Sequence, residues 1–184
     1  MFITSDDKVY GFGQNSFGCC GLGHNSVANE PQVIPELCHK NIKQFFIGRT
    51  FVLALNNDGQ VFSWGYNSVG QLGIGVCSSE YLKPRIISYF CDKIVTLLSC
   101  GTFHSIAMTL NWMIYGWGSN VNGQIGIREK RGEEIPTPLL LEIFTNIEIK
   151  SLHCVYYKSF ALTTEGSVYS WGDNFLCSLG HDLQ

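Results

Sequence analysis

Val61-Phe-Ser-Trp-Gly-Tyr-Asn-Ser-Val-Gly-Gln-Leu-Gly-Ile-Gly75 occurs four times in this chain of 184 residues, with drift. The other copies span residues 9–23, 114–127 and 168–180. Each carries an aromatic-Gly pair, an Asn two residues after that Gly, and a turn of small residues that ends in a second Gly. Self-similarity at a fixed period marks a repeat architecture, so the repeat decides the fold.

The spacing separates core from loop. The aromatic-following glycines Gly13, Gly65, Gly118 and Gly172 lie 52, 53 and 54 residues apart. The second glycine, Gly21, Gly73, Gly126 or Gly180, always follows 8 residues later. Pro31, Pro84 and Pro138 each precede the next aromatic-following glycine by 34 residues. All length variation falls between the second glycine and the proline. Surface loops accept insertion and packed elements resist it. Residues 22–30, 74–83 and 127–137 are therefore expected to be exposed loops.

Within each unit the pattern is that of strands. Phe51-Val-Leu-Ala-Leu-Asn-Asn-Asp-Gly-Gln-Val-Phe-Ser-Trp64 reads as a hairpin, with Asp-Gly supplying the positive φ of a tight turn. Residues 159–171 repeat it. In the third unit Trp112 stands where the turn glycine belongs, and that turn is expected to widen or distort. Another apolar strand precedes each hairpin, at 42–47, 94–99 and 149–154. Pro31, Pro84 and Pro138 are expected to begin edge strands. The strands are apolar at nearly every position, as in sheets covered on both faces. About four strands per unit, without a 3.6-residue period, is the arithmetic of a β-propeller blade. The predicted fold is all-β: four-stranded antiparallel blades in a single incomplete propeller domain over residues 1–184.

The repeat signature has structural work to do. Asn15, Asn67, Asn120 and Asn174 are placed to bond the backbone of the turn that follows them. Phe12, Trp64, Trp117 and Trp171 are expected to wedge between neighbouring blades.

Composition narrows the function. The net charge is −3, which gives no electrostatic footprint for nucleic acid. Stacking of single-stranded nucleic acid on the aromatics is set aside on that ground. No apolar run is long enough for a membrane span, and the N-terminus reads without a signal peptide. The 8 cysteines include no Cys-x-x-Cys pair, and reduced thiols in an intracellular protein are expected. Cys19 and Cys20 align with Gln71 and Leu72, which makes one a turn residue and the other a core residue. Among His24, His39, His104, His153 and His181, His104 stands out. Phe51 and Lys158 occupy its position in neighbouring units, so packing is preferred over catalysis. No nucleophile elbow, cofactor loop or metal ligand set is read, and the chain is expected not to be an enzyme. Arg128, Lys130 and Arg131 fall in the longest variable loop as a mixed-charge cluster, and are the candidate docking element.

The pattern Val-aromatic-Ser-Trp-Gly-x-Asn-x-x-Gly-Gln-Leu-Gly, with Gly101-Thr-Phe-His-Ser-Ile-Ala-Met108 as its second half, resembles the regulator of chromosome condensation repeat family. The resemblance covers essentially the whole chain. It implies a ring of seven blades, of which this chain holds about half. Within the family the chain is most similar to the branch whose propeller precedes a BTB domain, on the turn Phe17-Gly-Cys-Cys-Gly-Leu-Gly23 and the segment Pro35-Glu-Leu-Cys38. That branch implies substrate recognition for a cullin-type ubiquitin ligase. The founding member implies an alternative, guanine-nucleotide exchange on a small GTPase. Protein partners, no cofactor, self-association through open blade faces, and a cytoplasmic or nuclear location complete the expectation.

Overall fold

The structure is a computed structural model that describes residues 1–180. His181 lies outside the described residues. Fourteen strands form four antiparallel sheets among them. Blade one contains β1 (Phe2–Ile3), β2 (Val9–Gly13) and β3 (Ala28–Val33). Blade two contains β4 (Ile42–Ile47), β5 (Phe51–Asn56), β6 (Val61–Tyr66) and β7 (Glu80–Ile86). Blade three contains β8 (Val95–Cys100), β9 (His104–Thr109), β10 (Ile114–Ser119) and β11 (Glu134–Leu140). Blade four contains β12 (Ile149–Val155), β13 (Lys158–Thr163) and β14 (Val168–Gly172). Strands neighbouring in sequence pair in space throughout. The middle two blades have the expected four strands, and the outer two have three each among the described residues.

Each central hairpin turns on one residue of positive φ. These are Asp7 at 57°, Gly59 at 79°, Trp112 at 64° and Gly166 at 91°. Trp112 does not widen its turn, contrary to the sequence expectation. Its amide donates to the Thr109 carbonyl at 3.0 Å, as the Gly59 amide does to Asn56 at 3.2 Å. Strand pairing on both sides fixes the loop length, so the tryptophan takes the left-handed conformation that glycine takes elsewhere.

The sheets stack face to face with an apolar layer at each seam. Side chains alternate across a strand, so one strand feeds two layers. Val52 and Ala54 of β5 pack with Val9 of blade one, while Phe51 and Leu53 pack with Ala107 of blade three. Ile106 and Met108 of β9 then meet Ala161 of blade four. This is why β5 and β9 are apolar without alternation, and all their residues are buried. Burying each large side chain contributes roughly 1.5–3 kcal/mol. The terminal blades are covered on one face only among the described residues. In β13, Ser159, Ala161 and Thr163 are buried, whereas Phe160 and Leu162 are not.

The outer strands start earlier than the prolines suggest. β3, β7 and β11 begin at Ala28, Glu80 and Glu134, inside the intervals read as loops. Pro31, Pro84 and Pro138 lie within these strands, not at their first residues. Register shifts at Gly11/Gly13, Ser63/Gly65 and Gly116/Gly118 accommodate them. An edge strand needs only one side of its backbone paired, so an interior proline is tolerated there. The polar residues before the bulge hide this strand from a reading of apolar runs.

The stack has two faces. One carries the short turns between first and second strands together with the repeat-signature loops, and Ser119 joins the two by donating to the Phe103 carbonyl at 2.9 Å. The other carries the tight hairpin turns. The first strands form the inner edge, where the Cys154 amide donates to the Ser99 hydroxyl at 2.8 Å across two blades.

Candidate protein-interaction surface

The signature residues stitch the blades together. The Trp64 indole nitrogen donates to the Cys19 carbonyl at 2.9 Å, and that of Trp117 to the Gln71 carbonyl at 3.0 Å. Each indole thereby reaches back to the turn of the preceding blade. The second glycine of that turn lies directly beneath the ring. A Cβ on Gly73 would sit 2.8 Å from Nε1 of Trp117, and one on Gly126 would sit 2.9 Å from Nε1 of Trp171. Gly73 also has a φ of 70°, so glycine is required there twice over. Gly21 stands in the same relation to Trp64, 3.2 Å from Nε1. Gly13, Gly65, Gly118 and Gly172 have φ between 103°, 104°, 98° and 107° in that order, at the ends of the third strands. Gly180 has no such neighbour within 4 Å.

Phe12 departs from this pattern. It is 48% exposed and edges onto Phe2 at 6.2 Å. The wedge position points toward the preceding blade, and blade one has none among the described residues.

The asparagines close the signature turns. Asn67 Oδ1 accepts from the Leu72 amide at 3.0 Å, and its Nδ2 donates to the Val76 carbonyl at 2.8 Å. Asn15 binds the Cys20 amide and the His24 carbonyl at 2.7 Å each. Asn120 binds the Ile125 amide at 3.0 Å and the Ile127 and Lys130 carbonyls. Asn174 accepts from the Leu179 amide at 3.0 Å. A buried amide side chain that serves both a donor and acceptors of one loop fixes its shape.

The third seam is built differently. Ser159 donates to the Gln124 carbonyl at 2.7 Å, the position that takes an indole in the earlier seams. The hydroxyl proton is thus committed, and His104 Nε2 donates to Ser159 Oγ at 2.8 Å. His104 Nδ1 and Trp171 Nε1 are buried without a partner among the described residues. Burial holds the His104 pKa down, to about 3. A neutral, fully buried imidazole tied to a neighbouring blade is a packing element. Sequence reading identified His104 as structural but gave no sign of Ser159, which a plain strand position conceals.

With the signature consumed internally, the groups left for recognition are those that vary. A groove of about 540 Å³ runs along the inner edge of the signature face over blades two to four. Arg49, Thr102, Tyr156 and Tyr157 line it, with Cys100 and Cys154 among its walls. Tyr156 is 73% exposed and Arg49 is exposed. Desolvation raises both thiols, Cys154 to about 12, so neither is a ready nucleophile. Cys19 is likewise raised by burial, to about 11. Groups of three or more metal-ligating side chains are absent among the described residues. Arg128 to Lys130 form a short 3-10 turn on the same face. Arg128 and Arg131 are exposed, and Lys130 pairs with Glu133 at 3.2 Å. The groove residues belong to no motif, and only the fold brings Arg49 and Tyr156 to one surface.

Comparison with known proteins agrees with this geometry. A model described as Regulator of chromosome condensation (RCC1) repeat matches residues 6–55 and 58–108, and a second of the same description matches 42–71, 95–124 and 149–176. The chain is 33% identical over 152 residues to the human probable E3 ubiquitin-protein ligase HERC3, covering 83% of this chain and 14% of that protein. It is 28% identical over 180 residues to the ultraviolet-B receptor UVR8 of Arabidopsis thaliana, covering 98% of this chain and 40% of UVR8. The structure of Prp20p from Saccharomyces cerevisiae, which binds Gsp1p and histones, superposes with a TM-score of 0.83 at 26% identity, over 100% of this chain and 45% of Prp20p. The chain thus spans less than half the length of each of these relatives.

Proposed function

The chain belongs to the regulator of chromosome condensation (RCC1) repeat family, and from that premise we propose that it is a protein-interaction scaffold, the substrate-recognition propeller of a ubiquitin-ligase adaptor. One observation carries the reading. The repeated residues spend their hydrogen-bonding capacity inside the stack, while the groove of Arg49, Tyr156 and Tyr157 and the loop of Arg128 and Arg131 face outward. A rigid scaffold with variable exposed loops is suited to binding. Exposed Tyr and Arg are the side chains that most often anchor protein interfaces. The ligase setting is supported by relatives named as E3 ligases. Attachment to a BTB domain rests on the sequence resemblance alone. The reading assigns no catalysis to this chain.

A photoreactive amino acid in place of Tyr156 tests the proposal in cells. One discrete protein adduct is expected, lost on Arg49→Glu, and its protein partner is expected to lose ubiquitin when the chain is depleted. Diffuse labelling that ignores Arg49→Glu would count against the scaffold reading.

The likeness to Prp20p supports a second reading, nucleotide exchange on a small GTPase. Release of fluorescent GDP from Gsp1p distinguishes the two. Acceleration by catalytic amounts of the chain would favour exchange, and an unchanged rate is expected from the scaffold.

A further inference from the structure

Three positions on the hairpin face repeat from blade to blade, and blade three differs from its neighbours at all of them. A backbone hydrogen bond fixes two of the positions. Asn57 donates to the Asn41 carbonyl, Leu110 to Ile94, and Thr164 to Glu148, at 3.0, 2.8 and 3.0 Å. The third is the turn residue of positive φ. Blade two therefore places Asn41, Asn57 and Gly59 at this corner, and blade four places Glu148, Thr164 and Gly166. Blade three places Ile94, Leu110 and Trp112, which are 50%, 63% and 48% exposed. Polar side chains and glycine are what water and a left-handed turn favour. A half-exposed tryptophan at φ 64° accepts backbone strain without full burial in return, and retained strain of this kind points to function.

Beside the trio lies a cleft of about 280 Å³, lined by Leu97, Met108, Leu110, Trp112, Ile149 and Lys150. Its size is at the lower end for ligand clefts, which run from about 300 Å³ upward, and suits a single side chain. Lys150 is exposed at its edge, and the ion pairs among the described residues involve other lysines. Glu148, two residues earlier, accepts from the Thr164 hydroxyl at 3.3 Å.

We propose that this corner of blade three docks a short extended segment of a partner protein, which sets one aliphatic side chain against Trp112 and Leu110 and a carboxylate against Lys150. A free cation beside an apolar cleft selects an anion next to an apolar group. The three side chains expose only on the order of a few hundred Å², well below the roughly 800 Å² per partner of a stable protein interface. That favours a peptide over a second copy of the chain. The site lies on the face opposite the groove and stands independently of the function proposed above.

The test is titration of the 15N-labelled chain with the acetylated, amidated peptides Gly-Leu-Asp-Gly and Gly-Leu-Lys-Gly, following the indole N–H signals. The Trp112 signal is assigned as the one missing in Trp112→Gly, a variant that installs the residue present in the sister turns. Saturable millimolar binding of the Leu-Asp peptide at the Trp112 signal is expected, about threefold to fivefold tighter than that of the Leu-Lys peptide, the range of one exposed ion pair. Lys150→Glu should reverse the preference, and Trp112→Gly should abolish binding of both. No saturable shift, equal affinities, or binding that survives Trp112→Gly would overturn the proposal. So would a Trp112 signal that moves with protein concentration alone, which would place a second copy on the patch.

Discussion

The indole nitrogen of Trp117 donates to the carbonyl of Gln71, 46 residues earlier, at 3.0 Å across a blade boundary. Trp171 occupies the same station over Gly126, yet its nitrogen has no partner among the described residues because Ser159 holds the Gln124 carbonyl. Equal aromatic letters in the repeat therefore do unequal work.

Trp117→Phe should cost about 2–3 kcal/mol, through a lost hydrogen bond, a buried carbonyl left unpaired and lost volume. Trp171→Phe should cost about 1 kcal/mol or less, since it removes no hydrogen bond. Gly73→Ala should cost about 3 kcal/mol, from the left-handed backbone and the contact with Trp117. Urea unfolding of the three variants checks the order.

His104 couples stability to pH. Its folded pKa lies near 3, below the ordinary 6.5. Above pH 6.5 both states are neutral and contribute no dependence. As pH falls below that value the unfolded chain binds a proton that the folded chain refuses, so stability drops. The loss should be about 1 kcal/mol per pH unit between pH 6 and 4. Phe51, fully buried at the equivalent position in blade two, shows that a ring without nitrogen fits. Unfolding midpoints measured across this range should lose that slope in His104→Phe.

Trp112→Gly should leave stability within about 1 kcal/mol of the native chain. Relief of a left-handed backbone, roughly 1–2 kcal/mol, offsets the added freedom of glycine when unfolded. A large fall in melting temperature would show that the indole packs more tightly than its 48% exposure implies.

Much of this was legible in the sequence, for identifiable reasons. The blade count follows from Gly13, Gly65, Gly118 and Gly172, because strand lengths and tight turns permit no insertion. The stacked sheets follow from the unbroken apolar run at 51–55, which alternation converts into two seams. The start of β7 at Glu80 was hidden, since edge strands are polar and bulged. The conformation of Trp112 was hidden as well. Its own preference argues for a wider turn, and only the pairing of β9 with β10 overrules it. The groove was not legible at all. Arg49 and Tyr156 share no pattern, and their proximity exists only once the blades stack.

The central claim is that the repeat signature serves the fold and leaves the groove free to bind. Thermal unfolding of Asn67→Ala beside Arg49→Glu/Tyr156→Ala tests it most directly. Asn67→Ala strands the Leu72 amide and the Val76 carbonyl in a buried loop and should cost at least about 2 kcal/mol, a fall of roughly 4–8 °C for a chain of this size. The groove variant should melt within about 2 °C of the native chain, as exposed substitutions do. A groove variant that melts as low as Asn67→Ala would contradict the account, because Arg49 and Tyr156 would then be holding the blades together.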